Sequence, residues 1–384
     1  MLVGFKVRLY PTEEQEVLFK KSCGVARFAY NESLSYSNNR YEDTGSYTSI
    51  QQMIEHIQDL KYTNEYSWIR EVPEIVTKDA VKNLDKAFRK YFSDIKSGRL
   101  IDKSKGRPRF KKKGKCKESF ATRADRFQQL DSRHIKLVGF KSPVRIKPYV
   151  FPSRLYNLRV IFDDKYWYLS FNFEAAEQQF KTSGEVIGVD LGVKELMVTS
   201  DGQKVKNINN SRTIKKLERR KKKLQRHISR KYESNKTGKK YNKTRNILKL
   251  ESKVRLIDRR LKGIRDNYIH EATMNLVSRA KVLCIEDLNV QGMMKNKYLS
   301  KYIQEQEFGK VRQYLTYKCQ GYGVKLIVAD RFFASTKICN FCGNKKKYMS
   351  LSERLYVCDK CGYSMDRDLN AAYNLRDYAL SQIS

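Results

Sequence analysis

Hydrophobic and polar positions follow three successive rhythms along this chain. Residues 2 to 10 (LVGFKVRLY) alternate loosely, as a half-buried strand does, and Pro11-Thr12-Glu13-Glu14 closes the strand with Thr12 placed to cap a helix. Helical spacing then persists to about residue 100. It is clearest from Val72 to Phe92, where Val76, Ala80, Leu84, Ala87 and Tyr91 make an apolar stripe and Thr77, Lys78, Lys82, Asp85 and Arg89 fall on other faces. Short β-rich runs follow at 134–138, 144–148, 156–162 and 166–173, the last two separated by the turn residues Asp163-Asp164. The pattern predicts a small antiparallel barrel completed by the N-terminal strand, with a helical lobe inserted after that strand.

From residue 184 the rhythm changes. Val186-Ile187-Gly188-Val189-Asp190-Leu191-Gly192 reads as a buried strand ending on a carboxylate, with Val186, Gly188 and Asp190 on one face. A second strand is expected over 196–199, a turn at Asp201-Gly202, and then long helices. Ile247, Leu250, Val254, Ile257, Leu261, Ile264 and Tyr268 recur at spacings of 3, 4, 3, 4, 3 and 4, which predicts a helical hairpin over 211–268 turning near 234–238. The apolar run 282–285 ends in Glu286-Asp287, a helix is expected from 303 to 320, and a further strand over 324–329. Strands and helices alternating around acids predict a mixed sheet of the ribonuclease H kind.

Length and charge sharpen this picture. A chain of 384 residues holds two or three domains, and its 40% hydrophobic content supports real cores. Seventy-nine basic residues against 42 acidic ones leave +37, a field suited to a polyanion whose counterions are released on binding. Two stretches concentrate it: residues 103–117 carry nine basic residues and no acid, and residues 211–245 carry sixteen against two. The first, with Arg107, Arg109, Lys111 and Lys112 around Phe110, reads as a phosphate-contacting loop. The second would repel itself without a polyanion nearby, which makes Lys221, Lys222 and Lys223 candidate contacts. Neither a run of about 18 apolar residues nor a signal peptide is present, so the expected location is the cytoplasm or nucleoid, with no membrane partner. Of the eight cysteines, four are scattered and four form close pairs, a pattern for a reducing compartment and a metal site.

Cys339-x2-Cys342-x15-Cys358-x2-Cys361 supplies four thiolates for one tetrahedral Zn²⁺, with Gly343 and Gly362 permitting the knuckle turns. Four cysteine ligands leave no open position, so this zinc is expected to be structural. Asp190, Glu286 and Asp368 stand at two strand ends and a helix start, as hard oxygen ligands for two catalytic Mg²⁺ ions would. Asp287 and Asp366 compete with their neighbours for that role. Asn370 and Asn374 share a helix face and could orient the metal site or satisfy backbone. The four histidines form no cluster, and the glycines around Asp190 lack the spacing of a phosphate loop.

GVDLGV around Asp190, IEDLNVQGM around Glu286, STKICNFCG, YVCDKCG and DRDLNAAYN resemble the transposon-encoded TnpB proteins, compact relatives of type V CRISPR nucleases. The similarity is specific over the second half of the chain, while the first 180 residues resemble the family mainly in organisation, including FKVRLYPT and RPRFKKK. The resemblance implies a multidomain α+β protein with a RuvC/ribonuclease H-like nuclease domain, a zinc-ribbon insertion, a wedge-type β-barrel and a helical recognition lobe. The expected boundaries are 1–11 for the first barrel strand, 12–102 for the helical lobe, 103–183 for the basic linker and remaining barrel, and 184–384 for the nuclease domain with its zinc ribbon at 335–363. It also implies an RNA-guided DNA endonuclease, acting as a monomeric ribonucleoprotein on double-stranded DNA beside a short motif. Its guide RNA would come from the transposon end of a prokaryotic host. By position, Asp190, Glu286 and Asp368 fall on the family's metal-binding acids and the four cysteines on its zinc site; Thr77, Lys78 and Lys82 are the candidate face for reading the adjacent motif. The alternatives are a guide-independent nuclease or transposase on the same scaffold, and a nuclease-dead RNA-guided repressor.

Overall fold

The computed structural model describes residues 1–99, 102, 105–181, 183–238, 240–350 and 353–383; Lys103 and Ser104 of the basic stretch lie outside them. The chain divides into two compact units, Leu2–Glu174 and Ala175–Ser384 with Met1.

In the first unit, strand β1 (Leu2–Tyr10) enters helix α1 (Glu13–Thr44) through a reciprocal cap. Thr12 Oγ1 accepts from the Gln15 amide at 3.3 Å while Gln15 Oε1 accepts from the Thr12 amide at 3.1 Å. Helices α2 (Ile50–Leu60) and α3 (Glu74–Lys96) follow. Six further strands are β2 (Ser119–Ala121), β3 (Gln128–Gln129), β4 (His134–Lys136), β5 (Val144–Ile146), β6 (Tyr156–Phe162) and β7 (Trp167–Glu174). With β1 they form one antiparallel sheet in the order β2-β6-β7-β1-β5-β4-β3. Alternation along β7 sends Trp167, Leu169 and Phe171 inward, where they meet Val7 and Leu9 of β1 and Phe19 of α1. The closed barrel expected from the sequence is an open half-barrel: among the described residues β2 and β3 are its free edges. Phe19, Cys23 and Val25 of α1 and Val76 of α3 share the sheet's core, so helices as well as strands bury its apolar side chains.

Helix α3 buries a wider stripe than its clearest periodicity implies, because α1 and α2 both pack on it. Val76, Thr77, Ala80, Val81, Leu84, Asp85 and Phe88 are all buried.

The second unit begins with β8 (Glu185–Leu191), β9 (Glu195–Thr199) and β10 (Lys204–Lys206), then α4 (Arg212–Ser234), the two-residue strands β11 (Lys236–Thr237) and β12 (Lys240–Tyr241), and α5 (Arg245–Arg279). It continues with β13 (Ala280–Glu286), α6 (Val290–Met293), α7 (Ser300–Gln306), α8 (Phe308–Tyr322), β14 (Lys325–Ala329), β15 (Leu355–Val357), β16 (Ser364–Asp366) and α9 (Arg367–Ser381). The helix expected from 303 to 320 is broken at Glu307, whose φ of +52° ends α7 and starts α8. Five strands form a mixed sheet in the order β10-β9-β8-β13-β14. β10, β9 and β8 are antiparallel, whereas β8, β13 and β14 run parallel.

Both faces of this sheet are covered. Ile187, Val189, Leu283 and Ile285 face α5 and α8, meeting Ile269, Leu276, Val311 and Leu315. Val186, Val282 and Cys284 face the other way, onto Leu375 and Ala379 of α9. In the hairpin, Ile214 and Leu217 of α4 pack on Ile257 and Leu261 of α5. Each such burial is worth roughly 1.5–3 kcal/mol. The ion pairs beside them, Lys221 Nζ to Asp258 Oδ1 and Lys243 Nζ to Glu251 Oε2, both at 2.6 Å, contribute under about 1 kcal/mol each at the surface. The apolar seam therefore holds the hairpin together. No helix among the described residues is long and apolar enough to cross a membrane.

Candidate active site and nucleic-acid surfaces

Three elements converge on the acids. Strands β8 and β13 pair in parallel, with Gly188 opposite Cys284 and Val189 opposite Ile285, so Asp190 and Glu286 are the next residues on the two strands. Alternation puts both on the face covered by α9. That helix reaches β8 closely because Gly188 has no side chain: a Cβ there would collide with backbone atoms of Ala372, Leu375 and Arg376. Asp368 lies one helical turn before Ala372 on the same helix face, near enough for its charge to act on Asp190.

Asp190 is only 6% exposed, and burial raises its carboxyl well above the usual range, reinforced by the charges of Glu286 and Asp368. Burial also raises Glu286, opposed by a hydrogen bond that the Ser335 hydroxyl donates to its Oε1. Asp368 accepts from Arg367 at 3.0 Å, and an Arg354 guanidinium nitrogen stands 3.9 Å from its other oxygen. The competing neighbours are occupied elsewhere. Asp287 is gripped by Arg331 and Arg312, whose hydrogen bonds hold it below the usual carboxylate range. Asp366 caps α9, accepting from the amides of Asp368 at 3.0 Å and Leu369 at 3.1 Å. Burial pulls its pKa upward, but the Leu369 amide and Lys204 outweigh that effect and leave it lowered.

A loop after β14 leads to the four cysteines. Their sulfurs all lie within 4.8 Å of one another, with Cys339 3.8 Å from Cys361 and Cys342 3.6 Å from Cys358. Among the described residues this is the single group of three or more His, Cys, Asp or Glu side chains gathered so closely. Gly343 and Gly362 take φ of +73° and +72°, and their amides bond back to Cys339 O at 2.9 Å and Cys358 O at 3.0 Å. These are left-handed turns that favour glycine. Backbone amides of Cys361 and Lys360 lower the Cys358 thiol to about 6, whereas burial raises that of Cys339, and, against the Tyr363 amide, burial and the neighbouring thiols push Cys361 up to about 12. The donor set fits a tetrahedral structural zinc.

Asn370 and Asn374 satisfy the backbone of that loop. Asn374 Nδ2 donates to Ser335 O and Ile338 O, both at 2.7 Å. Asn370 Nδ2 donates to Ile338 O at 2.7 Å, and its Oδ1 accepts from the Asn340 amide at 3.1 Å. Sequence reasoning leaves Ser335 and Arg354 unassigned, since nothing in their local pattern indicates that they reach the acids.

The basic candidates separate into groups. Lys222 and Lys223 are exposed on α4, whereas Lys221 is paired with Asp258 across the hairpin. In the first unit, Arg107, Arg109 and Lys112 are exposed. Lys111 is not free in the same way: Asn31 binds both its amide and its carbonyl, and its ammonium stands 3.6 Å from the centroid of the Tyr30 ring. Phe110 is 52% exposed and lines a cleft of about 690 Å³ with Phe28, Trp68, Lys21 and Arg27. The face expected to carry Thr77, Lys78 and Lys82 needs correction. Thr77 is buried, its hydroxyl bonded to Glu74 O at 2.9 Å, because α3 packs on two neighbours; Lys78 pairs with Glu74 at 2.9 Å, and Lys82 is exposed.

With this geometry in hand, the chain's relatives are informative. Residues 170–297 match the family described as "Probable transposase", residues 308–375 the "Cas12f1-like, TNB domain", and residues 1–46 a "Helix-turn-helix domain". In the structure residues 1–46 are β1 and the one long helix α1, so that last description does not fit their shape. Two curated relatives share the name "Putative RNA-guided DNA endonuclease". The one from Streptomyces pristinaespiralis is 28% identical over 97% of this chain and 88% of its own length. The one from Escherichia coli K12, with the added name InsQ, is 25% identical over 97% of this chain and 91% of its own. A "TnpB-like protein" of Acanthamoeba polyphaga mimivirus is 29% identical over 33% of this chain and 25% of its own. End-to-end similarity to two relatives, transposase and Cas12f1-like family matches in the half that carries the acids and cysteines, and a TnpB-like relative over a third of the chain together support a TnpB-family protein.

Proposed function

We propose that the protein is an RNA-guided DNA endonuclease of an insertion-sequence transposon. A guide RNA from the transposon end would pair with one strand of a double-stranded DNA target, while the protein reads a short adjacent motif and cuts. On this reading the second unit is a RuvC-like, ribonuclease H-type nuclease domain carrying a zinc ribbon at 335–363. The first unit is a wedge sheet with a helical recognition lobe, and the particle is a monomeric ribonucleoprotein. The observation that carries the proposal is that Asp190, buried at the end of β8, lies next to the strand end that carries Glu286 and under the helix that presents Asp368, so that three acids from separate elements share one face of the sheet.

The donor chemistry fits Mg²⁺, for which Asp190, Glu286 and Asp368 would be the protein ligands. Two such ions, when bound, would supply the charge that lowers the pKa of an attacking water and neutralises the leaving oxygen. The chain's own residues keep the site in order. Burial of Asp190 excludes bulk water and strengthens electrostatic interactions there, while Arg367 restrains Asp368. In the proposed reaction water's oxygen bonds to phosphorus as the bond to the 3′ oxygen breaks, leaving a 5′-phosphate and a 3′-hydroxyl. The exposed basic groups on α4, Lys222 and Lys223, and those around Phe110 would bind phosphates.

The test is to purify the full chain after gentle lysis, sequence the RNA that accompanies it and assay Mg²⁺-dependent cleavage of DNA matching that RNA. Cleavage that follows the guide sequence supports the proposal. Cleavage indifferent to the guide would return the guide-independent nuclease.

A further inference from the structure

We infer that Ser335, held in place by Asn374, is a positioning residue for Glu286, which makes the root of the zinc ribbon part of the acid site. The inference rests on the nuclease reading above and assigns a role that no part of that reading requires.

Ser335 is 2% exposed, and its hydroxyl donates to Glu286 Oε1 from a loop that belongs to neither strand of the acid pair. A buried serine in a loop can satisfy itself on nearby backbone; this one is instead directed at a carboxylate 49 positions away in the sequence. A hydroxyl on one carboxylate oxygen fixes the rotation of the group and leaves the other oxygen for a cation. Such supports of ligating carboxylates typically matter about 10–100-fold in metal affinity.

The loop is itself pinned. Asn374 holds Ser335 O, and Asn374 and Asn370 together hold Ile338 O, one residue before the first cysteine of the ribbon. Both asparagines sit on α9, the helix that presents Asp368. One rigid helix thus sets the place of Asp368 directly and of Glu286 through Ser335. The relative placement of two acids from elements distant in sequence is held by hydrogen bonds through the loop, in addition to the packing of β13 on α9.

The test is Mn²⁺ binding to the full-length chain freed of nucleic acid, followed by electron paramagnetic resonance of the free ion, with zinc content and melting temperature measured on the same samples. Ser335→Ala should weaken Mn²⁺ binding about 10–100-fold with one zinc per chain retained. Asn374→Ala, which keeps the hydroxyl but frees the loop, should weaken it less. If the alanine variant loses its zinc, Ser335→Cys, with similar volume and a much weaker donor, takes its place in the comparison. Mn²⁺ affinity equal to wild type in a zinc-loaded Ser335 variant, while Glu286→Gln loses binding, would overturn the positioning role and leave the acid site standing. Wild-type affinity in Glu286→Gln as well would instead remove the acid site from which the inference starts.

Discussion

Gly188 of β8 lies directly against Ala372 of α9, so closely that a Cβ on the glycine would enter the space of the Ala372 carbonyl oxygen and stand 3.0 Å from the Leu375 carbonyl carbon. The neighbours are backbone, which cannot swing aside as a flexible side chain can. Gly188→Ala should therefore push α9 off the sheet, cost about 1–3 kcal/mol and separate Asp368 from Asp190. The expected readout is a lower melting temperature with cleavage reduced beyond what the remaining folded fraction explains. Gly263→Ala, on a helix with nothing within 4 Å of the added Cβ, is the control and should stabilise by roughly 0.5–1 kcal/mol.

The sequence makes two of the acid-bearing elements legible because continuous apolar runs end on carboxylates, and the cysteine spacing is readable without any tertiary information. What it hides is which element lies on which. Gly188 reads only as a small residue until α9 is seen crossing it. Asn370 and Asn374 show a shared helix face but not the loop they bind. Thr77 reads as exposed because periodicity identifies one buried stripe, whereas α3 has neighbours on two sides. Lys221 is indistinguishable from Lys222 in a basic run until Asp258 comes across the hairpin to meet it.

The raised pKa of Asp190 sets a pH dependence. Above the ordinary aspartate range the unfolded chain has released its proton while the native site still favours holding one, so this group's contribution to stability is present at low pH and is lost as pH rises toward the native pKa. Each unit of such a shift costs about 1.4 kcal/mol once both states are ionised. Without divalent metal, Asp190→Asn should melt higher than wild type at pH 7–8, with the difference shrinking toward pH 4. A wild-type protein that is the more stable of the two at pH 8 without metal contradicts this.

The cysteine site should behave as part of the fold. Cys342→Ser is expected to bring bound zinc toward zero and to loosen the ribbon, since structural zinc supplies folding free energy. Elemental analysis of wild-type protein should give one zinc per chain, and chelation should increase proteolysis around 335–363. A clearly substoichiometric value in active protein would rule out the structural zinc.

Lys222 and Lys223 test whether the hairpin's charge serves a polyanion. Replacing both by glutamine leaves the Ile214–Leu261 seam untouched and should not move the melting temperature. Each lost phosphate contact should flatten the slope of log affinity against log salt by about 0.7 to 0.9 in RNA binding. Lys221→Gln, which loses the Asp258 partner, should change the slope less. An unchanged slope in the double variant would make these lysines a solvated face.

The central claim is that Asp190, Glu286 and Asp368 form the single cutting centre of an RNA-programmed enzyme. Its most direct measurement is cleavage of a target matching the co-purified RNA by wild-type protein and by Asp190→Ala, with target binding followed in parallel. The account predicts binding within a few-fold of wild type and cleavage lower by about three orders of magnitude or more. Guided cleavage by Asp190→Ala at near the wild-type rate would contradict it.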